Sequence, residues 1–207
     1  KEELGMEGKT KITHMGNCEN NHKRIRLKYS LLSQYKNSID EKIDRYLEIE
    51  YQGIIGGHYF AKVSSECIYL YRDGYFIGAV MMSHAINEGI VKFIAERNGI
   101  SRQKENGETK SIKELIDEFK ENSIVSQNCA AALTKIWESF RADIHHMNPS
   151  VAVIPFQELA QQNLKCLSVI EKEIFGHDYN NGAIVPHQPK YWDINKDGTT
   201  TAFLRLE

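Results

Sequence analysis

The sequence predicts a mainly helical protein, an up-and-down helical bundle with a short β-hairpin at its C-terminal end. Three observations carry that prediction. Cys129, Leu133, Ile136, Phe140, Ile144 and Met147 recur at spacings of four and three, the stripe of an amphipathic helix. Residues 75–97 form the longest apolar segment and are apolar on several faces, as a helix at the centre of a bundle must be. Start and stop signals bracket the periodic stretches: Ser111 with Glu114 makes a capping-box pattern, while Asn98-Gly99 and Asn148-Pro149 are stops.

The elements follow in order. Residues 1–22 are polar, carry Gly5, Gly8 and Gly16 and show no period, which predicts a flexible arm. The helical bundle domain is expected over 23–176, and a loop-and-hairpin appendage over 177–207. Ser38 stands where it can cap a helix with Ile39, Ile43, Tyr46 and Leu47 inward, and Asp40 and Glu41 suit its dipole. A second helix is expected over about 59–71, ending at the Asp73-Gly74 turn. The long apolar helix follows, then a charged loop over 101–110 around Asn106-Gly107. Ser111 opens a helix to about 120, and Ser126 opens the striped helix, read as unbroken to Asn148-Pro149. Pro155 starts the last helix and Gly176 closes it. Asn180-Asn181-Gly182, Pro186 and Pro189 mark a loop. Residues 191–194 and 200–206 can then pair around Asp197-Gly198.

Composition narrows the function classes. The chain has 207 residues, 41% hydrophobic and 26% charged, which is ordinary for a globular domain. Its net charge of −2 provides no global basic field for nucleic acid. Locally, residues 9–36 hold seven Lys and Arg against Glu19 alone, which reads as a solvated arm or as an electrostatic contact to RNA. Cys18, Cys67, Cys129 and Cys166 are widely spaced with no CxxC pair, so a reducing, cytoplasmic location is expected. No apolar run reaches the roughly 18 residues that a membrane span needs. The run Asp193-Ile194-Asn195-Lys196-Asp197-Gly198 begins like a calcium loop, but its twelfth position is Leu204 rather than Glu, so a hairpin turn is expected. His14, Cys18 and His22, four apart, are too few ligands for a zinc centre. No phosphate loop, dinucleotide glycine motif, zinc-protease motif or nucleophile elbow is present, and no metal or cofactor is expected.

The remaining constellation is Arg141-Ala142-Asp143-Ile144-His145-His146-Met147-Asn148-Pro149. Arg141 and His145 are four apart and share a helix face. His146 lies about 140° further round from Arg141 on a regular helix. Phe140, Ile144 and Met147 are assigned to the core, which leaves Arg141 and His145 off it or at its margin. Both histidines sit in a last helical turn, where the helix dipole favours a cation. An arginine and a protonatable histidine beside a helix break suit a phosphate group. In the alternative reading Arg141 is a surface residue paired with Glu138 or His145, and the two histidines cap carbonyls.

Arg141, four intervening residues and His146, at the end of a long helix in a helical domain, resemble the HEPN superfamily, over about residues 60–176. The resemblance implies a helical bundle that dimerises. It also implies a metal-independent endoribonuclease of the kind found in toxin–antitoxin, phage-defence and CRISPR systems. Carried over, Arg141 and His146 are the catalytic pair, RNA the substrate, a homodimer the source of a composite site, and an antitoxin or defence-system protein a further partner. The asparagine that often follows the family's arginine is Ala142 here. The acidic residue that some members carry on an earlier helix is assigned to Glu88, and Asp143 and His145 are supporting residues. A second reading is a non-catalytic helical module that binds RNA, a nucleotide or a protein, for which Ala142 also speaks. It would gain if Arg141 and His146 faced separate surfaces. A third, a metal-dependent hydrolase built on His84 and Glu88, lacks a second half with matching spacing.

Overall fold

The computed structural model describes the backbone of residues 7–205 and the side chains of residues 20–205. The chain divides into two compact units, Lys1–Asp44 and Arg45–Glu207. The first unit holds helix α1 (Glu7–Asn37) and most of helix α2 (Ile39–Leu47). Residues 7–22 are therefore helical where the sequence predicted an arm. The side chains of residues 20–37 are exposed. Residues 1–6 lie outside the described residues. Ser38 does not cap α2. Its hydroxyl donates backwards to the carbonyls of Gln34 and Tyr35, at 3.0 and 3.3 Å.

The second unit opens with strand β1 (Ile54–Gly56) and continues with helices α3 (Ala61–Arg72) and α4 (Phe76–Arg97). Helices α5 (Ile112–Glu121), α6 (Gln127–Trp137), α7 (Arg141–His146) and α8 (Phe156–Ile174) follow. Helix α4 is the hub and packs against α3, α5, α6, α7 and α8. Val80, Ile90, Val91 and Ile94 on it are fully buried, which accounts for its apolar residues on several faces. The capping box of α5 is realised: Ser111 Oγ accepts from Glu114 N at 3.2 Å and Glu114 Oε2 from Ser111 N at 2.7 Å. Ser126 caps α6 by accepting from Cys129 N at 3.1 Å.

The predicted unbroken helix from Ser126 to Asn148 is two helices. Cys129, Leu133, Ile136 and Ile144 are buried as the stripe requires, but Phe140 and Met147 are exposed. Helix α6 ends at Trp137, and Phe140, in the left-handed region at φ +55°, redirects the chain into α7. Ser139 is the cause closest to hand. It is buried, and its hydroxyl donates to Ile136 O at 2.6 Å while two side chains from α4 and α8 converge on it.

The C-terminal segment is integral to the second unit. Strands β4 (Asp193–Ile194) and β5 (Thr200–Leu204) form the expected hairpin, but β5 also pairs with β1, giving an antiparallel sheet in the order β1-β5-β4. Ile54 faces Leu204 and Gly56 faces Ala202. A side chain at Gly56 would place its Cβ 2.9 Å from the Phe175 ring, so the close approach of β1 requires glycine there. The predicted loop at residues 180–186 is a second hairpin. Strands β2 (His177–Asn180) and β3 (Ala183–Pro186) pair around Asn181 and Gly182, both at positive φ. Tyr191 and Trp192 belong to the hydrophobic core, so residues 177–205 close the second unit and are not an appendage. Among the described residues no helix is long and apolar enough to cross a membrane.

Candidate functional site

Helix α7 is short, and its placement follows from the elbow before it. Ile144 is fully buried and anchors the helix, while Arg141 and His145, on the adjacent face, turn toward α4. Glu88 of α4 receives Arg141: Nη2 donates to its Oε2 at 3.2 Å. Lys92, one turn further along α4, donates to the other oxygen at 2.7 Å. These two cations, Lys92 first, hold the Glu88 carboxyl below its usual range, against a partial burial that raises it. Two cations on one carboxylate leave the cluster with a formal charge of +1.

Arg141 also lies over the Trp137 ring, with its guanidinium carbon 4.5 Å from the centroid. Glu88 is its hydrogen-bond partner among the described residues, and Nε is buried with none. With its side chain 36% exposed, the fork is fixed at Nη2, buried at Nε and only in part open to solvent. Neither partner of the alternative reading holds it, because Glu138 faces Lys113 at 3.6 Å.

Beneath this cluster lies a buried polar layer whose side chains come from α4, α8 and the elbow. Asn163 of α8 donates to Ser83 Oγ at 2.9 Å and to Ser139 Oγ at 3.1 Å. His84 Nε2 lies 2.9 Å from the same Ser139 Oγ and 3.2 Å from Ser139 O. Ser139 has already given its one hydroxyl proton to Ile136 O, so His84 must be the donor and carry its proton on Nε2. That assignment leaves Nδ1 as a lone pair, buried without a partner. His84 is held neutral, with its pKa lowered to about 4. Burial is the largest cause, followed by the nearby His145, and the hydrogen bond to the Ser139 carbonyl opposes them. The His84 and His145 rings are 5.6 Å apart.

The structure thus pairs Glu88 with Arg141 and sets the His145 ring beside the buried His84. His146 is not part of that group. It is exposed at the end of α7, and its imidazole makes no hydrogen bond or ring contact among the described residues. Asp143 is engaged elsewhere. Its carboxylate accepts from Asn148 Nδ2 at 3.1 Å and Ser150 Oγ at 2.7 Å, which lowers its pKa and fastens the end of α7 to the turn that follows. Ala142 is exposed.

The metal-hydrolase arrangement of His84 and Glu88 is not formed, since Ser139 occupies the imidazole donor and two cations occupy the carboxylate. Among the described residues no group of three or more His, Cys, Asp or Glu is placed to hold a metal ion. His14 and Cys18 have side chains outside the described residues. Cys67, Cys129 and Cys166 are free thiols with pKa values raised by burial. Comparison with protein-family models, with curated proteins and with solved structures gives no match to this chain.

Four residues of this region escaped the sequence. Lys92 stands one turn from Glu88, a spacing that does signal an ion pair. Trp137 stands four residues before Arg141, a spacing that also signals contact, whereas Ser139 and Asn163 carry no local signal, because they meet each other and His84 through tertiary contacts.

Proposed function

We propose that the chain is a metal-independent endoribonuclease of the HEPN type. The observation that carries this reading is the Glu88–Arg141 pair, which holds an arginine at the start of α7 with part of its fork open, five residues before an exposed histidine. In this reading a phosphodiester of RNA docks on Arg141, whose remaining donors neutralise charge on the non-bridging oxygens. His146 takes the proton of the 2′-hydroxyl. The 2′-oxygen bonds to phosphorus, the bond to the 5′-oxygen breaks, and that oxygen is protonated by a second imidazole. A two-fold dimer supplies that second histidine across one cleft and places two Arg141–His146 pairs on one substrate. His145 binds backbone phosphate beside the reacting one. The products are a 2′,3′-cyclic phosphate and a 5′-hydroxyl.

A second reading is favoured by one observation, the distance in role between the clustered Arg141 and the solitary His146. A helical module that binds RNA or a nucleotide through Arg141, Lys92 and His145 without cutting it needs no histidine poised beside the arginine. The separating experiment incubates the purified chain with total RNA in EDTA, beside the Arg141→Ala/His146→Ala double variant. Cyclic-phosphate ends produced by the wild type alone support the nuclease. Retention of labelled RNA without cleavage, lost in the double variant, supports the module instead.

A further inference from the structure

Helix α1 displays a surface that the nuclease reading does not use. Leu27, Leu31 and Tyr35 stand at i, i+4 and i+8 and are 54, 63 and 54% exposed, and Leu32 beside them is 46% exposed. From Asn20 to Asn37 the chain has five basic residues, Lys23, Arg24, Arg26, Lys28 and Lys36, and no acidic one. None of the five makes an ion pair among the described residues. Lys23, Arg24 and Lys28 line the same groove as the leucines and Tyr35. On a regular helix Arg24 falls between Leu31 and Tyr35, and Lys28 between Tyr35 and Leu32, at steps of roughly 100° per residue. The cations are thus interleaved with the apolar row and do not merely border it.

We propose that this face of α1 is a docking surface for an acidic amphipathic helix of a partner protein, with leucine-type residues over the apolar row and carboxylates opposite Arg24 and Lys28. The charge pattern selects this occupant. A second copy of α1 would bring five more positive charges to the same contact. A lipid surface that buried Leu31 and Tyr35 would carry Arg24 into the acyl layer with them, whereas interfacial helices keep their cations on the polar face. RNA phosphates would satisfy the cations but leave the leucines in water. An acidic helix covers both, in the way that apolar seams flanked by opposite charges pair helices elsewhere. The contact spans residues 20–37, about 27 Å of helix, which fits a partner helix of similar length. The proposal does not depend on the nuclease reading.

The test uses the full chain and a labelled 21-residue probe peptide, helical by design, with Leu at its seam positions and Glu flanking them. A scrambled peptide of the same composition, a 20-nucleotide RNA and phosphatidylglycerol vesicles are the competitors. The ordered peptide should bind about tenfold or more tighter than the scrambled one, and Leu27→Asp/Leu31→Asp should weaken it about tenfold. Arg24→Glu/Lys28→Glu should lose the acidic peptide and gain its Lys-flanked counterpart. That exchange decides the matter even if the leucine variant loses helicity by circular dichroism. Equal affinity for the two acidic peptides overturns the proposal. So does RNA or vesicle binding that is as tight as the peptide's and equally dependent on the leucines.

Discussion

Arg205, one residue past β5, grips Glu171 in the body of α8, with Nη1 and Nη2 donating to the two carboxylate oxygens at 2.8 and 2.6 Å. Both side chains are 3% exposed. The same guanidinium donates to Ser64 Oγ on α3 and to the carbonyl of Gln52 just before β1. One buried cation therefore ties the C-terminal strand to two helices and to the strand it pairs with. Removing one member strands the other charge in the interior. Glu171→Gln or Arg205→Met should each cost about 3–5 kcal/mol, whereas Glu171→Leu/Arg205→Met should cost clearly less than the sum. Urea midpoints of the three variants measure this, and additive losses would show that the pair does not act as a unit.

His84 and His58 should make the protein acid-labile above the carboxylate range. His84 stays neutral in the fold to about pH 4, held by burial first. His58 stays neutral to about pH 3, again by burial, then by Arg205, with Asp193 opposing. Both titrate near 6.5 when unfolded. The unfolded state therefore binds more protons below pH 6.5. Stability is complete above that value and falls as pH drops toward 4, by about 1.4 kcal/mol per pH unit for each histidine. His84→Gln keeps an Nε donor for Ser139 and cannot titrate. Its stability should fall less steeply between pH 6 and pH 4.5, by close to one proton's slope. An unchanged slope would mean that His84 is already charged in the folded protein.

Local signals in the sequence were legible and distant pairings were not. Ser111 with Glu114, Asn98-Gly99 and Asn148-Pro149 fall at observed helix ends, since each depends on neighbours within a turn or two. Strand β1 is three residues long, and its partner β5 lies at the far end of the chain, so no local pattern announces it. The elbow at Phe140 was hidden for a different reason. Phe140 and Ile144 satisfy the helical spacing, and only the tertiary ties on Ser139 reveal that the helix is interrupted. Glu88 was expected only through the family resemblance, and no local pattern links it to Arg141, with which it pairs. The separation of His146 from that pair is the one that helical spacing gives, since five residues along α7 turn the two side chains about 140° apart.

The elbow makes its own prediction. Phe140 is about half exposed and sits at a φ that costs an L-residue roughly 1–2 kcal/mol. Phe140→Gly removes that strain and gives up little burial, so its thermal midpoint should equal or exceed the wild type's. Phe140→Pro, which forces φ near −65°, should lower the midpoint by several degrees. If Phe140→Gly and Phe140→Ala both melt well below the wild type, the phenyl ring, and not the backbone angle, holds the turn.

The last prediction concerns the roles within the Glu88–Arg141 pair. Because this pair is about a third exposed, it contributes at most about 1 kcal/mol to stability, so Glu88→Gln, Arg141→Ala and His146→Ala should all keep urea midpoints near the wild type's. Their effects on RNA cleavage should differ by role. In the proposed ribonuclease reading, Arg141→Ala removes the cation that faces the phosphate and should reduce the rate about 10²–10³-fold. His146→Ala removes the proton acceptor and should reduce it by about 10²–10⁴-fold. Among the described residues the Glu88 carboxylate accepts from Arg141 and Lys92, so in that reading it positions the arginine and does not meet the substrate. Glu88→Gln keeps an acceptor for Nη2 but releases the charge, and its loss should be smaller, about tenfold, and expressed mainly in KM. If His145→Ala abolishes cleavage and His146→Ala does not, the histidine of the reacting pair is the one beside His84, and the composite site must be rebuilt around the face of α7 that Arg141 shares.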